Sequence, residues 1–206
     1  MKKIKGGIFI VFEGIDGTGK STQLKRLKTF LEKEGYDVIS TCEPTDGPFG
    51  QKIRALYKNR ASLSPAEELD LFISDRKDHV DQLISPALAN GKIVLCDRYF
   101  LSTAAYQGAA GIDPDKIFAA HAFAPIPDLA LILETGAEES IRRITETRGD
   151  RLNDFEQLPS LKKVDALFKS MNFDYITRVN GNQSIAEVER QIRALVREII
   201  SKKVHP

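Results

Sequence analysis

The run Glu13-Gly14-Ile15-Asp16-Gly17-Thr18-Gly19-Lys20-Ser21-Thr22 carries the most explicit chemistry in the chain. Gly14 to Ser21 fits the pattern G-x-x-x-x-G-K-[ST], placed between an apolar run and an amphipathic one. In that spacing the glycines let consecutive backbone N–H groups turn inward around phosphate oxygens. The start of the following helix adds its partial positive charge. Gly14, Ile15, Asp16, Gly17, Thr18, Gly19, Lys20, Ser21 and Thr22 are therefore expected to cradle a nucleoside triphosphate. Lys20 would reach the β- and γ-phosphates, and the Ser21 hydroxyl would ligate Mg²⁺. The motif specifies a triphosphate and nothing finer, because GTPases, motors and kinases all use it.

A second constellation is Asp97-Arg98-Tyr99, followed by Ser102, Tyr106 and Gln107. It ends an apolar run, and in a parallel sheet the carboxyl ends of the strands border the ligand crevice. Asp97 would then hold Mg²⁺ or its waters beside the phosphate loop, and the planar fork of Arg98 suits a phosphoryl group. Taken without the phosphate loop, the Asp-Arg pair reads first as a surface ion pair. Phe72 and Arg76 stand at i, i+4 and so share one helix face. They suit a stacked base with a donor at its edge, or a core phenylalanine beside a solvated arginine.

The elements that must position these groups follow from periodicity. Apolar runs at Ile8–Phe12, Asp37–Thr41, Lys92–Cys96, Leu129–Leu133 and Tyr175–Val179 predict strands, several buried on both faces. They alternate with amphipathic stretches, which predicts an α/β fold with a five-stranded parallel sheet flanked by helices. One helix is expected from Lys20 to about Glu34, stopped by Gly35. Another opens at Ser64-Pro65-Ala66-Glu67 with the signature of a capping box, is kinked or restarted at Pro86, and ends at Gly91. Further helices are expected at about 101–107, 114–123, 137–147, 158–170 and 184–203. With no repeat, low-complexity segment or linker, the 206 residues read as one domain.

The bulk numbers exclude several classes. Lys and Arg number 30 against 29 Asp and Glu, so no global field favours nucleic acid or an anionic membrane. No apolar run approaches the ~20 residues of a membrane span. The basic start runs straight into a strand without a signal-peptide core, so a cytoplasmic location is the expectation. Cys42 and Cys96 lack metal-ligand spacing and read as two buried, reduced thiols.

Together, Phe12 to Thr22, the Glu43-Pro44 segment leading to Arg54, the Phe72 and Arg76 pair, and Asp97-Arg98-Tyr99-Phe100-Leu101-Ser102-Thr103-Ala104-Ala105-Tyr106-Gln107 resemble the thymidylate kinase family. They occur in that family's order, and the likeness runs from residue 8 to about 195. The resemblance implies the P-loop nucleoside monophosphate kinase fold and transfer of the γ-phosphoryl group of ATP, with Mg²⁺, to dTMP. It implies that Phe72 stacks on thymine, Arg76 bonds its carbonyl edge and Gln107 reaches the base. Arg98 and Arg54 would contact the acceptor phosphate, with Glu43 and Ser102 in the same pocket. Tyr106 would lie against the sugar, and Asp16 would meet the 3′-hydroxyl or a water-bridged arginine. A homodimer is implied as well.

The phosphate loop itself offers no extra cation, so the resemblance turns attention to a short lid at about 145–156, where Arg148 and Arg151 would close over the triphosphate. Arg142 and Arg143 would lie nearer its hinge. The shortness of the lid is one departure from the family pattern, and two further stretches depart from it. Glu43-Pro44-Thr45-Asp46-Gly47-Pro48 stands where many relatives read Glu-Pro-Gly-Gly-Thr, and the fourth strand ends in Leu133-Glu134-Thr135-Gly136.

Two alternatives stay open on sequence. A deoxynucleoside kinase, or another monophosphate kinase on this scaffold, would share most motifs. A nucleoside kinase also needs a carboxylate base for a 5′-hydroxyl, for which Glu13 or Glu43 would be the candidates. A regulatory GTPase would need a guanine-reading Asn-Lys-x-Asp, which the sequence does not contain. His79, His121 and His205 fall outside every motif and read as surface or packing residues.

Overall fold

A computed structural model of the chain describes residues 1–58, 63–148 and 155–204, apart from the side chains of Thr147 and Arg148. Strands β1 (Ile8–Glu13), β2 (Val38–Cys42), β3 (Ile93–Asp97), β4 (Leu129–Glu134) and β5 (Ile176–Asn180) form a parallel sheet in the order β2-β3-β1-β4-β5. The helices, in chain order, are α1 (Lys20–Lys33), α2 (Pro48–Ala55), α3 (Pro65–His79), α4 (Ser85–Ala89), α5 (Phe100–Ala109), α6 (Pro114–Ala120), α7 (Ala137–Arg148), α8 (Leu158–Ser170) and α9 (Ile185–Val204). No helix among the described residues is long and apolar enough to cross a membrane.

The central strands are continuously apolar because their alternate side chains fill two separate cores. Phe9, Val11, Val94, Cys96, Ala130 and Ile132 face one, where Leu101 and Ala104 of α5 and Leu161, Val164 and Phe168 of α8 meet them. Ile8, Ile10, Phe12, Ile93, Leu95, Leu129 and Leu131 face the other, closed by Leu24, Leu27 and Leu31 of α1 and Val188, Ile192 and Val196 of α9. Each fully buried aliphatic side chain contributes about 1.5–3 kcal/mol, so the sheet is a stiff base for the residues at its edge.

Chain order reverses across β1, whose neighbours are β3 and β4. Register brings Asp97 level with both Phe12 and Cys42, so the carboxyl ends of β1, β2 and β3 open onto one crevice. That is the switch point at which open α/β sheets bind ligands.

Two local features place α3. Ser64 Oγ accepts from the Glu67 backbone, and Glu67 Oε2 accepts from Ser64 N–H at 2.9 Å, with Pro65 in the first turn. This is the expected capping box, and it fixes where the face carrying Phe72 and Arg76 begins. Pro86 has no N–H to donate, and the preceding Val80–Ile84 widens into a π-helical turn before α4 resumes.

The structure adds α2, which starts with Pro48 after Gly47 and carries Arg54. It also corrects one expectation. Cys96 is buried, but Cys42 is exposed, because β2 is an edge strand whose alternate residues face outward.

Candidate active site

The phosphate loop leaves β1 with backbone that only glycine adopts comfortably. Gly14 has φ 122° and Gly17 φ 79°, and a Cβ at either would stand 2.5 Å from a carbonyl oxygen, of Leu133 and Ser140 respectively. Gly19 caps α1 without a side-chain bond, so the first N–H groups of the helix remain for a ligand. Lys20 is buried and donates to the Ile15 carbonyl at 2.8 Å. Burial, reinforced by Arg98, lowers its pKa to about 8, although Asp16, Asp97 and Glu13 pull the other way. The ammonium therefore lacks an adequate counter-charge until an anion arrives.

Ser21 Oγ donates to Asp97 Oδ2 at 2.5 Å across the mouth of the same cleft. A hydroxyl and a carboxylate form a hard oxygen donor set that fits Mg²⁺ completed by phosphates and waters. On the far side of the cleft Arg143 donates to the Gly181 carbonyl at 3.0 Å. Gly181 and Gln183 follow β5, so the loop after the last strand also faces the cleft.

A second, narrower pocket adjoins this cleft, and Asp16, Glu43, Pro44, Tyr57 and Arg98 line both. Arg98 is the hub of that wall. Its Nη2 donates to Asp16 at 2.8 Å and Tyr106 at 3.3 Å, and its Nη1 to Ser102 at 3.0 Å and the Gly14 carbonyl at 3.2 Å. Its guanidinium also lies over the Tyr106 ring, 5.1 Å from the centroid. Among the described residues it is the non-glycine with positive φ, at 72°, a conformation that persists only where the surroundings impose it. Burial opposes a charge on Asp16, but Arg98 and Lys20 outweigh it and hold the pKa at about 2. Asp16 is thus a fixed anion that orients Arg98.

Beneath this wall the pocket is lined by Phe72, Arg76, Thr103, Tyr106 and Gln107. Arg76 is 1% exposed, so it is not a solvated arginine. Its Nε donates to Glu43 at 2.9 Å, and its Nη2 donates to Glu43 and, at 3.1 Å, to Thr103. His79 completes the cluster, bonding Glu43 at 2.9 Å and Thr41 at 2.7 Å. Burial raises the Glu43 pKa, but Arg76 and His79 more than offset it and the net shift is downward. Three residues lining this pocket each carry an atom hidden from solvent with no hydrogen-bond partner among the described residues: Arg76 Nη1, a donor, Gln107 Oε1, an acceptor, and the Tyr99 hydroxyl, which can be either. An orphaned buried polar atom costs about 1–3 kcal/mol, so this cluster, with Arg76 Nη1 and Gln107 Oε1 as its fixed donor and acceptor, marks a place for a ligand.

Most residues singled out in the sequence therefore converge. Arg54 is nearby, but its guanidinium is engaged with the Thr45 and Pro44 carbonyls and Asp46. Arg148's side chain and Arg151 lie outside the described residues, as does most of the lid stretch. Glu13 is fully buried, accepting from Tyr99 N at 2.9 Å, Ser102 N at 3.3 Å and Ser102 Oγ. Burial lifts its pKa to about 7. Sequence reading missed Tyr57, Thr103, His79 and Glu68. Their partners lie 27 to 39 positions away for the last three, so no local pattern flags them.

Comparison with known proteins supplies the context. The family model described as thymidylate kinase matches residues 12–192. The thymidylate kinase of Desulfotalea psychrophila is 53% identical over 194 residues, 94% of this chain and 96% of its own. That of Xanthomonas campestris pv. campestris (strain B100) is 42% identical over 191 residues, 93% of this chain and 83% of its own. A probable thymidylate kinase of Pyrococcus abyssi is 43% identical over 204 residues, covering 93% of this chain and 96% of its own.

Proposed function

The chain belongs to the thymidylate kinase family, and we propose that it transfers the γ-phosphoryl group of ATP to the 5′-phosphate of dTMP, giving ADP and dTDP. The observation that carries this reading is the orphaned donor and acceptor on two residues of the pocket wall. Arg76 Nη1 offers a donor and Gln107 Oε1 an acceptor, the complement of the carbonyl and N–H of a thymine imide edge. The Phe72 ring lines the same pocket and supplies a stacking face.

The triphosphate lies along Gly14–Thr22, where it draws Lys20 away from the Ile15 carbonyl onto the β- and γ-phosphates. The acceptor nucleotide lies with its base between Phe72, Arg76 and Gln107, its sugar against Tyr106 and its phosphate at the shared wall. Arg98, oriented by Asp16, then faces both anions and offsets their repulsion as they approach in line. An acceptor-phosphate oxygen bonds the γ-phosphorus, and the bond from that phosphorus to the β–γ bridging oxygen breaks. No general base is required, since the acceptor oxygen is already anionic.

Ser21 and Asp97 would hold Mg²⁺, which neutralises charge on the bridging and γ-oxygens when bound. Arg148 and Arg151 would close the lid, and Arg54 would support the acceptor phosphate through the Thr45–Asp46 loop. Action in the cytoplasm and as a homodimer belongs to the same proposal, on family grounds.

The nucleoside-kinase alternative is not favoured. Glu13 is occupied by the Tyr99 and Ser102 donors, and Glu43 is ion-paired with a depressed pKa, which makes it a poor base. The test is ADP release with ATP, Mg²⁺ and a panel of monophosphates, with thymidine as control. Strong turnover with dTMP, weaker with dUMP and none with thymidine is expected. Turnover with thymidine but not dTMP would overturn the assignment.

A further inference from the structure

The amide of Gln107 could serve the pocket with either end, and the two ends select opposite bases. The oxygen accepts from an imide N–H, as in thymine or uracil. The nitrogen donates to the bare ring nitrogen that cytosine presents at the same position.

Gln107 Nε2 lies 2.7 Å from Glu68 Oε1 in the interior, the two residues being 0% and 2% exposed. A carboxylate has acceptors only, so the end of the amide that meets it must be the NH₂. The carbonyl of this pocket-lining residue is thereby left without a partner. Reversing the amide would set two acceptors against each other out of water, which costs both the bond and the desolvation of the oxygens.

The placement of Glu68 follows from α3. Ser64, Glu68, Phe72 and Arg76 recur every fourth residue, so the cap, the carboxylate, the ring and the guanidinium share one helix face. Near the helix start a carboxylate is also favoured by the aligned peptide dipoles. Each of the three groups reaches the pocket by a different route. Phe72 lines it, Arg76 lines it with Nη1 unpartnered, and Glu68 acts through Gln107 on the facing helix α5.

We propose that Glu68 is a positioning residue that sets the base specificity of the acceptor pocket. By pinning the Gln107 amide with its carbonyl toward the base, it makes the pocket accept imide-bearing pyrimidines and reject cytosine. The proposal rests on the reading that the acceptor is a pyrimidine nucleotide.

Glu68→Gln keeps the size of the side chain but offers both donor and acceptor, so it no longer dictates the orientation of Gln107. The KM for dTMP is expected to rise about five- to tenfold with kcat within about twofold, because the lost contact acts in binding. In a Gln107→Leu background the same substitution should change KM by less than about twofold, since there is no amide left to orient.

A second readout uses 5-bromodeoxyuridylate, whose imide ionises at lower pH than that of thymine. In the unaltered enzyme its KM should climb as the imide loses its proton and a bare anion faces the Gln107 carbonyl. In Glu68→Gln the climb should flatten, because Gln107 can turn its NH₂ toward the anion. That ratio is taken within one variant and is insensitive to the folded fraction. Multiplicative KM effects of Glu68→Gln and Gln107→Leu, or an unchanged climb, would overturn the proposal. Failure of the underlying functional reading is distinct: the unaltered enzyme would then release no ADP in response to dTMP.

Discussion

The donor cleft and the acceptor pocket share a wall but are built from different materials. The cleft is made of contiguous backbone, and its principal cation rests on the Ile15 carbonyl with a pKa lowered to about 8. The pocket is made largely of side chains from the segment after β2, from α3 and from α5, and its charges are already paired, Arg76 with Glu43 and Arg98 with Asp16. A triphosphate brings its own charge, so its site can wait uncompensated. A thymine brings no charge, only two carbonyls and one imide N–H, so a site for it is best prearranged and neutral around them.

The sharpest way to break this contrast is at the wall. Arg98→Ala should lower kcat by about 10²–10³, because it removes the cation that lines both the cleft and the pocket. Arg98→Lys should recover little of it, since an ammonium cannot reach Asp16, Gly14 and Ser102 together. Steady-state kinetics with both substrates varied would show whether the loss is confined to one side.

On the donor side alone, Arg148→Ala or Arg151→Ala should each reduce kcat by about tenfold or more with KM for dTMP little changed. A loss expressed only in dTMP binding would remove them from the lid.

On the acceptor side, Phe72 and Arg76 should separate. Phe72→Ala should raise KM for dTMP about tenfold with little change in stability. Arg76→Ala should destabilise the fold by about 3–5 kcal/mol in denaturant unfolding, because Glu43 is left as a buried, poorly compensated charge. Equal stabilities for the two variants would contradict the prearranged pocket.

Smaller effects come from pH. Lys20 is about half protonated at pH 8 when no nucleotide is bound, and phosphates should raise its pKa. Nucleotide binding should therefore take up a fraction of a proton at pH 8 and almost none at pH 6, read by calorimetry in buffers of different ionisation enthalpy. Glu13 has the opposite linkage. Its folded pKa of about 7 exceeds the ordinary 4.5, so its stabilising contribution is complete below about 4.5 and is lost as pH rises through 7. Relative to Glu13→Gln, the unaltered chain should lose up to about 3 kcal/mol across that window.

The same contrast explains what the sequence made legible. A backbone cradle needs its residues in a row, so Gly14 to Ser21 could be read directly, together with the strand and helix that flank it. The sheet was legible because strands buried on both faces leave unbroken apolar runs. The pocket was legible only as scattered pieces, since pairing across 33 residues for Arg76 and Glu43, or 39 for Gln107 and Glu68, leaves no local spacing. Helix α2 was missed although Gly47-Pro48 is a fair start signal, because its eight residues carry too little periodicity to stand out. Cys42 was misjudged because its run gives no sign that β2 lies at the sheet edge.

The central claim is that Gln107 Oε1 and Arg76 Nη1 read the imide edge of the acceptor base. Proton NMR of dTMP labelled with ¹⁵N at the imide nitrogen, bound to saturation, tests it directly. An imide proton protected from solvent exchange is expected in the unaltered enzyme, and an unprotected one in Gln107→Leu. An imide proton that exchanges in the saturated complex as fast as in free dTMP would contradict it.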